Sequence, residues 1–87
     1  MSHQVAVFRF TLGIGQSIGP VALREIWIRA CQSTDVTVGR SGRGYDDRPT
    51  YTLFAPTSLA GLPKVEQRVR ELLDVRGLRA SLIPMKP

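Results

Sequence analysis

The chain has one histidine, one cysteine and no asparagine. A lone cysteine, Cys31, excludes an internal disulfide and argues against a small secreted scaffold held by bridges. A lone histidine, His3, sits near the start of the chain with no second imidazole and no cysteine cluster to join it. The usual ligand sets for zinc are therefore missing, and no metal or other cofactor is expected. No apolar run approaches the roughly 20 residues needed to span a bilayer. The first residues lack a basic patch followed by an apolar stretch, so neither a signal peptide nor a membrane anchor is expected. A cytoplasmic protein is the resulting expectation. Acidic residues are also few, 7 against 12 basic ones.

The basic residues are unevenly chosen. Only Lys64 and Lys86 are lysine; the other ten are arginine, and the formal charge is +5. Guanidinium groups suit bidentate contacts to phosphate or carboxylate and stack on flat rings. Hydrophobic residues make up 43% of the 87 positions. That is enough for one modest core, so a single domain over residues 1–87 is expected.

Gln4–Leu12, QVAVFRFTL, is the most strand-like run and has neither proline nor glycine. Period-two alternation puts Ala6, Phe8, Phe10 and Leu12 on one side and Val5, Val7, Arg9 and Thr11 on the other. The first set should face the core. Gly13–Pro20, GIGQSIGP, loosens the chain before a helix, with Ser17 or Gly19 as its cap and Pro20 in its first turn. The helix should run over Pro20–Ser33, with Leu23, Ile26, Trp27, Ala30 and Cys31 as its apolar stripe.

Val36–Val38 opens a second strand. Gly39–Pro49, GRSGRGYDDRP, follows and reads as a long glycine-rich hairpin tip. Thr50–Ala55 restores strand character. Period two allows Tyr51 or Phe54 on a given face, but not both. A second helix should start near Leu59–Pro63 and end at Arg76, burying Leu62, Val65, Val69, Leu72 and Leu73. Gly77 fits the position after its last turn. Leu78–Ile83 reads as a last short strand, closed by Pro84.

The order is β-α-β-β-α-β. Right-handed crossovers then give a ferredoxin-like plait, an α+β fold with a four-stranded antiparallel sheet and two helices on one face. The first and third strands lie in the middle, and one sheet face stays free of helices.

That free face and the hairpin carry the candidate binding residues: Arg40, Arg43, Tyr45 and Arg48 at the tip, with Arg9 and Tyr51 on the central strands. Arginines would meet a phosphate backbone and tyrosines would stack on bases. Asp46 and Asp47 offset two of the three tip charges. RNA-recognition modules share the plait and stack bases on central-strand aromatics. Arg43-Gly44-Tyr45 echoes their motif only faintly, because Asp46 and Asp47 stand where small and aromatic residues belong.

Acylphosphatases also share the plait. Gly13–Gly19 with Arg9 or Arg24 imitates their phosphate loop, but their G-x-V-Q-G-V-x-F-R run and their asparagine are missing. No nucleophile, base and orienting group fall together, so no enzyme is expected.

The reading is a non-enzymatic binding protein that docks on nucleic acid or a nucleoprotein complex. One alternative is a protein-protein module: a homodimer pairing its open faces, or a small inhibitor of a larger nucleic-acid-processing complex such as a host-defence assembly. A second is a small enzyme binding phosphate or acyl phosphate at Gly13–Gly19. An exposed apolar patch from Val5 and Val7 would favour dimerisation.

Overall fold

A computed structural model describes residues 4–43 and 49–85, apart from the side chain of Arg43. His3, Tyr45, Asp46, Asp47, Arg48 and Lys86 lie outside the described residues. The elements are β1 (Gln4–Leu12), α1 (Pro20–Cys31), β2 (Thr37–Arg43), β3 (Pro49–Pro56), α2 (Leu62–Val75) and β4 (Ala80–Pro84). The four strands form one sheet in the order β2-β3-β1-β4. Every pairing is antiparallel. This is the expected α+β plait, with β1 and β3 central. Among the described residues, no helix is long and apolar enough to cross a membrane.

The core lies between the sheet and the two helices. Phe8, Phe10 and Leu12 from β1 meet Tyr51, Leu53 and Ala55 from β3. Above them pack Leu23, Ile26, Trp27 and Ala30 of α1 and Val65, Val69 and Leu73 of α2, at the three- and four-residue spacing of a buried helix face. Phe10 stacks on Tyr51 with centroids 5.1 Å apart, and Phe8 meets Trp27 edge to face at 6.0 Å. The Trp27 indole N–H donates to the Phe54 carbonyl at 2.7 Å, so this fully buried ring keeps its polar atom satisfied.

The strict alternation expected for β1 breaks at Val7. Ala6 pairs with Phe54 and Phe8 with Leu53, which leaves Val7 as the extra residue of a β-bulge. One inserted residue reverses the sides that precede it. Val5, opposite Ala55, therefore joins the helix side, and Ala6 moves to the open face. Val7 is buried, and its carbonyl accepts the Met85 N–H at 2.8 Å. The expected exposed patch of Val5 and Val7 does not exist for this reason.

Three boundaries also shift. α1 stops at Cys31 because Gln32 adopts a left-handed conformation, φ 56°, and Ser33 N–H closes back on the Ile28 carbonyl. β4 begins at Ala80, two residues late, after Gly77 at φ 73° has turned the chain. β2 runs from Thr37 through Arg43, well into the segment read as loop. Its pairing continues through Arg40–Tyr51 and Ser41–Thr50 to Arg43–Pro49. Gly39 survives inside the strand because the Phe54 ring covers it. A Cβ there would lie 3.1 Å from the Phe54 ring edge.

Candidate functional site

The register sorts the side chains of the sheet. Tyr51, Leu53 and Ala55 point to the helices, so Thr50, Thr52 and Phe54 point away. Across the pairings, the open face collects Thr37, Gly39 and Ser41 from β2, Arg9 and Thr11 from β1, and Ser81 and Ile83 from β4. Most of this surface carries hydroxyl groups. Arg9 stands near its middle, opposite Thr52 on one side and Ile83 on the other. It is exposed, and its side chain makes no hydrogen bond or ion pair among the described residues. Phe54 is half-buried, and Ile83 is 52% exposed.

Tyr51 is not on that face. Its ring is 1% exposed and lies under the helices, where the hydroxyl oxygen accepts the Ile18 N–H at 3.2 Å. The ring expected to stack on bases is a core ring, and Phe54 takes the open position instead. Choosing between the two needed the register, which is set by the Phe10–Tyr51 pairing far away in sequence.

Arg40 also faces the helix side, because it pairs with Tyr51 across β2 and β3. Its guanidinium carbon lies 6.0 Å from the Tyr51 ring centroid, within cation-π range. Arg9 and Arg40, grouped together from the sequence, thus project from opposite sides of the sheet. Arg43 closes β2 at the hairpin end. Tyr45 and Arg48 of the proposed tip lie outside the described residues.

Topology brings more positive charge to that end. The C-terminal ends of β1 and β2, the N-terminal ends of β3, β4 and α1, and the last turn of α2 all meet there. Arg76 and Arg79 follow α2 and are exposed. The first turn of α1 contains no acidic residue, so its positive dipole end is uncompensated.

The loop after β1 is spent internally. Gly13 N–H donates to the Arg79 carbonyl at 2.9 Å, and Gln16 N–H to the Gly13 carbonyl at 2.9 Å. The Gln16 side chain bridges two loops. Its Oε1 accepts the Arg79 N–H at 2.8 Å and the Gly13 N–H at 3.2 Å, and its Nε2 donates to the Gly77 carbonyl at 2.9 Å. With Ile18 N–H on Tyr51, three of the amides that would cradle a phosphate already have acceptors. Sequence reasoning missed Gln16, since a glutamine in a glycine loop gives no hint of a partner 61 to 63 residues away.

Cys31 is half-buried at the end of α1 and packs against the core. Burial pushes its thiol up to about 12, against a smaller opposing pull from Arg68. At neutral pH it is a protonated, unreactive group. Among the described residues, no cluster of three or more His, Cys, Asp or Glu side chains could hold a metal ion.

No protein-family model and no curated protein matches this sequence. Two solved structures are similar to it. One is a C-terminal segment of the alpha subunit of aIF2 from Pyrococcus abyssi. It is 19% identical, with a TM-score of 0.46 over 95% of this chain and 51% of that one. The other is the intact alpha subunit of aIF2 from the same organism. It is also 19% identical, with a TM-score of 0.44 over 100% of this chain and 36% of that one. The chain thus spans about half or less of the chains it matches. Likeness of this degree carries no argument about what the chain binds.

Proposed function

We propose that this chain is a non-enzymatic binding module that docks on nucleic acid or a nucleoprotein complex through its open sheet face and the arginine-glycine hairpin beside it. The observation that supports this reading is Arg9, an exposed guanidinium without a partner among the described residues, set in a hydroxyl-lined sheet. Phosphate oxygens are bound chiefly by arginine and lysine, with serine and threonine hydroxyls adding neutral donors. Phe54 supplies one ring at the border of the same face. The hairpin sequence adds Arg43 and Arg48 as further phosphate-binding candidates and Tyr45 as a stacking one.

The test is a fluorescence-anisotropy titration with single-stranded RNA, single-stranded DNA and duplex DNA at two salt concentrations. Binding should weaken steeply with salt. Arg9→Glu should weaken it further and flatten the dependence of log K on log salt by about one phosphate contact. A joint change of Arg43 and Arg48 to glutamate should weaken binding while the domain stays folded. Absence of binding at low salt sinks the proposal.

Ile83 favours a second reading. An isoleucine 52% exposed beside Arg9 suits a protein partner, either a second copy of this chain or a larger complex that the module inhibits. Light scattering that finds only monomer at high concentration removes the homodimer.

A further inference from the structure

The helix side of the sheet has an opening of its own. A groove of about 160 Å³ lies between the start of α1 and Val38–Arg40 of β2. Ile18, Pro20, Leu23 and Val38 give it apolar walls, and Tyr51 closes it from below. The Tyr51 hydroxyl already serves Ile18. Arg40 lines the same groove; it is exposed and has no acidic partner among the described residues. β2 is the outermost strand, so the backbone groups along its free side have no sheet partner among the described residues. An edge of that kind is a template for one more strand.

The opposite edge is less open. β4 is five residues long and ends at Pro84. Arg70 Nη2 reaches the Leu82 carbonyl of that strand at 3.4 Å.

We propose that the β2 edge and this groove receive an extended acidic segment of a partner protein, which adds as a strand beside β2. Strand alternation fixes the sequence pattern of that segment. Val38 and Arg40 are two residues apart and face the helices, so their neighbours on an added strand are also two apart. One should be apolar and enter the groove between Leu23 and Val38. The other should be Asp or Glu, paired with Arg40 at the rim. Main-chain hydrogen bonds would supply affinity, and these two positions would supply selectivity. Arg40, exposed and without an acidic partner among the described residues, favours a negatively charged segment over a neutral one. This inference goes beyond the nucleic-acid reading and uses the other side of the sheet.

The probe is a fluorescein-labelled peptide of sequence TTVTETT, with the valine and glutamate two residues apart. It is read by anisotropy and by amide chemical shifts of the whole chain. Shifts should concentrate at Leu23, Val38, Gly39 and Arg40. Arg40→Glu, checked for folding by circular dichroism, should weaken binding at least about tenfold, as should lysine in place of the peptide glutamate. A peptide N-methylated at alternate residues should not bind, since it cannot pair along an edge. The peptide variants keep the test decisive if Arg40→Glu fails to fold.

The proposal is overturned if the lysine peptide binds equally well, if shifts appear at Arg9 and Thr52 instead, or if nothing binds at millimolar peptide. It is also overturned if sedimentation shows a dimer that buries the β2 edge without peptide. Arg9→Glu should leave peptide binding intact. A wild-type chain that binds the peptide but no RNA at low salt would sink only the nucleic-acid reading.

Discussion

Replacing Tyr51 by phenylalanine removes one oxygen and leaves the ring. In this fold that oxygen is the acceptor for Ile18 N–H at 3.2 Å, in a place where both residues are buried. Without it the amide has no partner and little access to water. An unsatisfied buried donor costs roughly 1–3 kcal/mol, and the long, neutral bond here puts the loss near the lower half, about 1–2 kcal/mol. The stack on Phe10 survives, so no cavity contribution enters. For a domain of this size the loss lowers Tm by roughly 4–16 °C. Thermal unfolding followed by circular dichroism measures it, and amide exchange at Ile18 should quicken in parallel. Tyr51→Ala should cost more, about 3–5 kcal/mol, because it also opens the core. A stability change under about 0.5 kcal/mol for Tyr51→Phe is what a surface ring would give. That result, with unchanged exchange at Ile18, would refute the inward placement of Tyr51.

Gln32→Gly should raise stability by about 0.5–1 kcal/mol in urea unfolding, because Gln32 holds a left-handed conformation that glycine adopts without steric cost. The Cys31 thiol is held protonated by burial up to about 12, against an unfolded value of 9.0. A raised folded pKa gives stability that is complete below about pH 9 and lost as pH rises toward 12. The wild type should therefore lose stability faster than Cys31→Ala across that window, and native Cys31 should resist iodoacetamide at pH 8. Equal pH profiles would contradict the burial of the thiol. Gln16→Ala should cost about 1–2 kcal/mol and speed amide exchange at Arg79, since its amide group makes two of the hydrogen bonds that join the loop after β1 to the turn before β4, beside the one from Gly13 N–H to the Arg79 carbonyl.

The order of elements was legible because each rests on a local period. The apolar stripes of α1 and α2 and the alternation from Phe8 to Leu12 carry their own evidence of a buried face. Pro20 and Gly77 mark a start and an end in the same local way. The open face was not legible in detail, because it depends on register. Val5, Ala6 and Val7 are all small and apolar, so nothing in their composition announces a bulge, yet the bulge decides which of them is covered. The segment from Gly39 to Arg43 reads as loop by composition. It is strand because Thr50 and Tyr51 pair with it and Phe54 covers Gly39. The same pairing turns Arg40 toward the helices and separates it from Arg9. Arg9 itself was placed correctly, since the alternation after the bulge is intact.

The most direct test of the account is amide chemical-shift mapping of the whole chain with a short single-stranded RNA. Docking on the open face should give shifts at Arg9, Thr11, Thr52, Phe54 and Ser81, fading as salt is raised and lost in Arg9→Glu. Shifts confined to the helices, or an unchanged map at saturating RNA, would contradict a sheet face built to meet phosphate.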